Sequence, residues 1–259
     1  MKLYHLVLLF LIIIIVFIVQ PVPLPLPTGV DSVAVGALTL FGDGFHSMNQ
    51  TGIASSCYSY ALSFNETDTQ ILHKKGDALY KMGEYDEAAE IFQSAAALDP
   101  TNPVFLVGQG RALLKAGDTA GAEASFNKAL EVSPEDPAAL HTRAVSLLSQ
   151  GRYTEAIRDL DRLVEENPES AKARMYRGDA YLFITTKYEA EMRDMKGSKD
   201  IMGSGTRLSS EASGAYQKAS MDYMKAMELD PFLTPVITAK MMAQYQSQAE
   251  TYGMILQSL

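Results

Sequence analysis

Apolar and small residues recur along this chain at the spacing of one helical face. Ala88, Phe92 and Ala95 stand at i, i+4 and i+7, on one stripe of a helix, and Leu72, Gly76 and Leu79 form a matching stripe on a helix predicted just before it. The pattern then repeats every 34 residues without an insertion. Gly42, Gly76 and Gly110 keep that interval, with Ala144 in the fourth place. So do Ala54, Ala88, Ala122 and Ala156; then Tyr58, Phe92, Phe126 and Leu160; then Ala61, Ala95, Ala129 and Leu163. Gly83, Gly117 and Gly151 fall midway, where a chain must turn between two helices, and Pro100, Pro134 and Pro168 close three of the units. A stripe that repeats with the unit is core rather than a cofactor box, and units this short bury it only by stacking on one another.

The run Gly76, Ala88, Phe92, Ala95, Pro100 supplies a small residue in the first helix, then Ala, a large aromatic, Ala and Pro, and in this it resembles the tetratricopeptide repeat. The resemblance implies an all-α fold, a right-handed superhelical solenoid of helix-turn-helix repeats whose first helices line a concave groove for protein ligands. The units run over 35–68, 69–102, 103–136 and 137–170, with a fifth over 171–231. The first is degenerate: Glu66 stands where the others have Pro, and Asn49, which tolerates the left-handed conformation, replaces the turn glycine.

The fifth unit is interrupted. Gly178 takes the first-helix glycine place, but Ala219, Tyr223, Ala226 and Pro231 arrive 29 residues late. An insertion of about 184–210 is expected: a prolonged first helix, a flexible crossing over Lys199 to Thr206, and a long returning helix. The Gly203-Ser204-Gly205 tract has no strand before it and no Lys-Ser or Lys-Thr after it, so it is not a phosphate loop. Residues 232–259 hold a terminal helix patterned over Thr234 to Leu256, expected to cap the array on Tyr223 and Met227 or to offer a Met-rich docking surface.

In the resembled family, ligands meet fixed positions of each first helix. These map onto His73, Asp77 and Tyr80; Val104, Val107, Arg111 and Leu114; His141, Val145 and Leu148; and Met175 and Asp179. His73 and Val107 are thereby expected to be at least partly exposed. The family's clamp for chaperone carboxyl-terminal peptides needs Lys and Asn where His73 and Asp77 stand, so the resemblance points to an aliphatic or aromatic peptide segment instead.

Every residue from Leu6 to Val19 is apolar, which suggests a transmembrane signal anchor over residues 1–20, followed by a Pro-rich spacer over 21–34. Pro21, Pro23, Pro25 and Pro27 occupy the place of a cleavage site, and Ala34-Val35-Gly36 would cut into the first repeat; secretion after cleavage is the alternative. Lys2 precedes the apolar run and no Lys or Arg occurs from Gln20 through His73, so the repeats are expected to face the extracytoplasmic side of a single-pass membrane protein. Asn49-Gln50-Thr51 and Asn65-Glu66-Thr67 are glycosylation candidates that agree with export, though chance accounts for them equally well. Cys57 permits no internal disulfide and reads as a packed small hydrophobe.

A net charge of −9 and a pI near 5.0 argue against nucleic acid, which needs a basic stripe. His5, His46, His73 and His141 share no i, i+4 ligand spacing, and no Ser elbow or Cys-His pair is evident. The reading is therefore a scaffold that binds a protein or peptide, with no catalysis, metal or cofactor; a secreted or cytosolic assembly factor or chaperone-like adaptor is the other reading.

Overall fold

A computed structural model describes residues 31–195 and 204–256. The anchor reading over 1–20, all but the last four residues of the spacer, and much of the insertion's crossing lie outside them. Among the described residues the secondary structure is helical: α1 (Asp31–Ser47), α2 (Thr51–Leu62), α3 (Thr69–Met82), α4 (Tyr85–Leu98), α5 (Pro103–Ala116), α6 (Thr119–Val132), α7 (Pro137–Ser149), α8 (Tyr153–Glu166), α9 (Ala171–Asp194), α10 (Ser204–Leu229), a short 3-10 turn (Pro231–Leu233) and α11 (Thr234–Leu256). No helix among them is long and apolar enough to cross a membrane. The helices form two compact units, one ending at Val132 and the other beginning at Ser133.

Local chemistry sets the helix ends at the repeat interval. Asp68, Asn102, Asp136 and Ser170 precede α3, α5, α7 and α9, and each side chain accepts a hydrogen bond from a backbone N–H of the first turn. Caps of this kind contribute about 1 kcal/mol each. Pro103 and Pro137 follow two of them in the first helical position, where a missing N–H costs nothing. Gly83, Gly117 and Gly151 turn the chain with φ of 89°, 95° and 74°, and Asn49 does the same with φ 61°. The residues before Pro100 and Pro168, Asp99 and Asn167, take extended backbone (φ near −134° and −133°), which ends α4 and α8.

In the first unit each helix from α1 to α6 packs on the next, and α3 also touches α5. The core is made of the repeat stripe itself. Ala54, Ala88 and Ala122, with Ala61, Ala95 and Ala129, are completely buried, and Tyr58, Phe92 and Phe126 are at most 1% exposed. Cys57 is buried beside Tyr58. The rings lie on glycine. A methyl group on Gly76 would stand 2.8 Å from Phe92 Cζ, and one on Gly108 2.7 Å from Cδ1 of the same ring. Gly42 meets Tyr58 and Gly110 meets Phe126 in the same way. Such a glycine weakens its helix by about 1 kcal/mol against alanine. Burying a phenylalanine contributes about 1.5 to 3 kcal/mol, so the seat is favourable overall.

The second unit keeps the rule and tests it. Gly178 lies under Tyr223, whose Cδ1 would be 2.8 Å from an added methyl. Where the ring is replaced by Leu160, the opposing place holds Ala144, and both are fully buried. The smaller branched side chain leaves room for one methyl.

Two boundaries differ from the sequence reading. Asp31 to Ala34, assigned to the spacer in the sequence reading, lie within helix α1. Ser204, Gly205 and Thr206, expected in a flexible crossing, are helical in α10, whose Leu208 and Ala212 pack on Met192 of the prolonged α9. Helix α11 packs Ile237 and Met241 on Tyr223 and Met227 and keeps Val236, Met242 and Tyr245 exposed.

The glycine seat makes a testable cycle. Gly110→Ala should destabilise the chain by about 1 to 3 kcal/mol despite its better helix propensity, as overpacking does. Phe126→Leu should also destabilise, by about 1 kcal/mol. Together they rebuild the Ala144–Leu160 arrangement, so denaturant unfolding of the double variant should show a coupling of at least about 0.5 kcal/mol. Strict additivity would contradict the seat.

Candidate peptide-binding surface

Helices α3 and α5 lie side by side in the first unit and carry seven of the candidate residues. The His73 ring meets Phe92 and Phe105 at centroid distances of 5.7 and 5.9 Å, and its Nδ1 lies 3.7 Å from the Asp77 carboxylate. It is half-buried and packs on the core with one edge. Tyr80 stands edge-on to Tyr85 of α4 at 5.4 Å, and the Arg111 guanidinium sits 5.0 Å over the Tyr80 ring. Such a contact contributes about 0.5 to 1 kcal/mol at an exposed site. Arg111 is exposed and makes no ion pair among the described residues. Val104, two turns before Arg111 on the same helix, is 46% exposed, and Leu114 is half-buried.

Val107 is the exception. It is 5% exposed, contrary to the expectation of an accessible residue, because α5 packs on α3, α4 and α6 and its buried arc is correspondingly wide.

In the second unit His141 lies 5.0 Å from Tyr176, edge to face. Burial, and then the Lys172 charge, hold its pKa below the usual histidine value, so the ring stays neutral at pH 7. Val145 and Leu148 are half-buried. Met175 and Asp179 are taken up by the fold. Met175 packs on the cluster of Tyr223 and Ile237, and Asp179 accepts hydrogen bonds from Tyr223 Oη at 2.7 Å and from Lys240 Nζ at 2.6 and 2.8 Å. Helix α11 therefore covers both. A half-open pocket of about 350 Å³ remains between α9 and α11, walled by Leu182, Phe183, Ala243 and Gln244. Phe183 stacks on Tyr153 at 5.1 Å with the rings 7° apart.

The Asp179 arrangement has a counterpart in the first repeat. Tyr58 Oη donates to Asp43 at 2.8 Å, and Lys74 Nζ donates to the same carboxylate at 2.7 Å. Burial by itself would raise the Asp43 pKa, but the hydrogen bonds from Lys74 and Tyr58 and the Lys74 charge bring it below the usual aspartate value. Wherever the seated ring is tyrosine, its buried hydroxyl needs an acceptor, and the aspartate that provides one recruits a lysine from the next first-position helix. The signal was present in the sequence as Tyr58 with Asp43 and Tyr223 with Asp179, both displaced from the Phe units. Two buried bidentate pairs, Arg143–Asp159 (2.6 and 2.8 Å) and Arg177–Asp222 (2.7 Å twice), also join first to second helices. These charges are committed to the fold.

Asn49 and Asn65 are solvent-exposed in the turns after α1 and α2. No group of three or more His, Cys, Asp or Glu is gathered as a metal site among the described residues.

The tetratricopeptide repeat family pattern matches residues 73–140 and again 141–190. Residues 73–190 carry tetratricopeptide repeats. Among solved structures it is similar to the MamA protein, at 17% identity with a TM-score of 0.56, covering 78% of this chain and 94% of that one. It is also similar to YrrB, described as a tetratricopeptide-repeat protein with an unusual peptide-binding site, at 19% identity, TM-score 0.53, 78% and 90% coverage. A third is TTC0263, a thermophilic tetratricopeptide-repeat protein of Thermus thermophilus, at 15% identity, TM-score 0.56, 80% and 99% coverage. At these identities the likeness is one of fold. Comparison with curated proteins finds no match.

Proposed function

We propose that the tetratricopeptide repeats form a non-catalytic scaffold that binds an extended peptide segment of a protein partner along the first-helix face of α3 and α5. The observation that carries this reading is the Arg111 guanidinium held over Tyr80, with Tyr85 against the Tyr80 ring and exposed Val104 two turns before Arg111 on the same helix face. The stacking pre-orients a cation without neutralising it, and the flanking apolar area suits aliphatic or aromatic side chains, so the partner segment carries both apolar residues and a carboxylate. YrrB, which shares the fold, is described as having a peptide-binding site, and this supports the same use of the surface here. His73, Asp77 and Leu114 border the cluster; Val107 supports it from beneath. His141, Val145 and Leu148 offer a separate, more apolar surface in the second unit. A net charge of −9 disfavours nucleic acid as the partner.

The apolar run Leu6 to Val19, with Lys2 before it and no Lys or Arg from Gln20 through His73, supports a single-pass anchor that holds the repeats on the extracytoplasmic side. On this reading the partners belong to the cell envelope, and Asn49 and Asn65 are open to glycosylation. The competing reading is a secreted or cytosolic assembly factor.

Peptides selected from a display library against the full chain should be rich in apolar and acidic residues. Tyr80→Ala with Arg111→Ala should weaken them by at least about tenfold, equivalent to 1.4 kcal/mol, while the loss of the Tyr80 packing lowers the melting temperature by only a few degrees. Unaltered affinity would move the site elsewhere. The anchor has its own test in cell fractionation: the full-length chain should sediment with membranes and resist alkaline carbonate extraction. Recovery in the soluble fraction with Leu6 to Val19 intact would refute the tether.

A further inference from the structure

Within the prolonged α9, the residues at the i, i+4, i+7 stripe are Thr185, Glu189 and Met192, and all three are buried. Glu189 is 0% exposed. Its Oε2 accepts a hydrogen bond from Gln244 Nε2 of α11 at 2.8 Å, and Gln244 Oε1 accepts in turn from Thr186 Oγ1 at 3.0 Å. Its Oε1 is buried and meets no hydrogen-bond donor of suitable geometry among the described residues. Gln248, one turn further along α11, stands close enough to favour the charged form but does not satisfy that oxygen. An ionised carboxylate in this place lacks the cation or the pair of donors that buried charges require.

Among the described residues the surrounding charges do not fill the gap. On α9, Arg193 favours the charged form but reaches only the Glu189 backbone carbonyl, at 3.5 Å. Lys187 and Glu191 face each other at 4.0 Å on the exposed side. On α10, Arg207 and Glu211 face each other at 3.8 Å and are largely exposed, while the residues turned inward are Leu208 and Ala212. On α11, Lys240 is committed to Asp179, and Glu250 is exposed. Gln244 and Thr251 are buried and uncharged.

We propose that the Glu189 carboxyl is a pH-sensitive latch for the distal half of α11, holding Gln244 and the residues after it against α9 while protonated and releasing them when it ionises. The first half of α11 has independent anchors in Ile237, Met241 and the Lys240–Asp179 pair, so it stays seated. From Gln244 to Thr251 the buried side chains are Gln244, which hydrogen-bonds the carboxyl, and Thr251. The pocket between α9 and α11 shares Gln244 and Thr186 with the latch and opens when the helix end leaves. Burial, opposed by the two glutamines and Arg193, raises the Glu189 pKa above the usual glutamate value. A raised folded-state pKa means the docked form binds the proton more tightly than the released form. Docking is thus strongest below the ordinary glutamate range and weakens as pH rises through the docked-state value.

The test is amide hydrogen exchange of residues 244–256 in the full chain, wild type against Glu189→Gln, with the ratio of rates taken at each pH so that intrinsic exchange cancels. Glutamine mimics the protonated acid. The ratio should be near one at about pH 3.5, below the ordinary glutamate range, and rise several-fold by pH 8, while α3 to α8 exchange alike in both proteins. A ratio that does not change with pH, at one or at any other value, overturns the latch. Carbon-13 carboxyl titration of wild-type Glu189 provides a second reading that needs no variant, and ionisation within the ordinary glutamate range would equally overturn it.

Discussion

The repeat depends on one contact, an aromatic ring of the second helix lying against a first-helix residue that has no side chain. Gly76 and Gly108, on two different helices, both lie against Phe92, while Gly42, Gly110 and Gly178 receive Tyr58, Phe126 and Tyr223. The contact lets the two helices of a unit approach closely, and the fully buried alanines at Ala54, Ala88 and Ala122 extend that approach along the second helix. Helix propensity opposes this choice of residue, and burial of the ring outweighs it. The fourth unit solves the same steric problem with Ala144 and Leu160.

The identity of the ring then decides where charge goes. Phenylalanine asks nothing of its surroundings. Tyrosine brings a hydroxyl into the interior, and at Tyr58 and Tyr223 it requires Asp43 and Asp179, which in turn require Lys74 and Lys240. At the Phe units the matching first-helix positions, Asp77 and Arg111, are left facing outward, where they can serve a ligand. In this way the candidate surface of the first unit follows from the absence of a hydroxyl on Phe92 and Phe126.

Much of the helical architecture was legible because its signals are local and repeated: the 3.6-residue stripe, the turn glycines and Asn49, and the prolines after the helix ends. The caps at Asp68, Asn102, Asp136 and Ser170 carried the same interval and could have sharpened every helix start. Less of the surface was legible. Val107 sits at a position that faces ligand by analogy, yet three neighbouring helices bury it. Met175 and Asp179 are half-buried by packing and ion pairing with α11, and nothing in the residues of a terminal helix states where its own polar side chains find partners. Glu189 was invisible for a related reason. A search for apolar stripes passes over Thr185, Glu189 and Met192, whose spacing is that of a buried face.

The most direct measurement of the ring-on-glycine seat is the proton chemical shift of the glycine α positions in solution. The Hα resonances of Gly42, Gly76, Gly108, Gly110 and Gly178 should be displaced by ring currents from ordinary helical glycine values. Those of Gly36, Gly44 and Gly214, which have open space at the same atom, should not. Phe126→Leu should return Gly110 alone to the ordinary value. Unperturbed shifts at all five seated glycines would mean that the rings do not lie where the packing requires them.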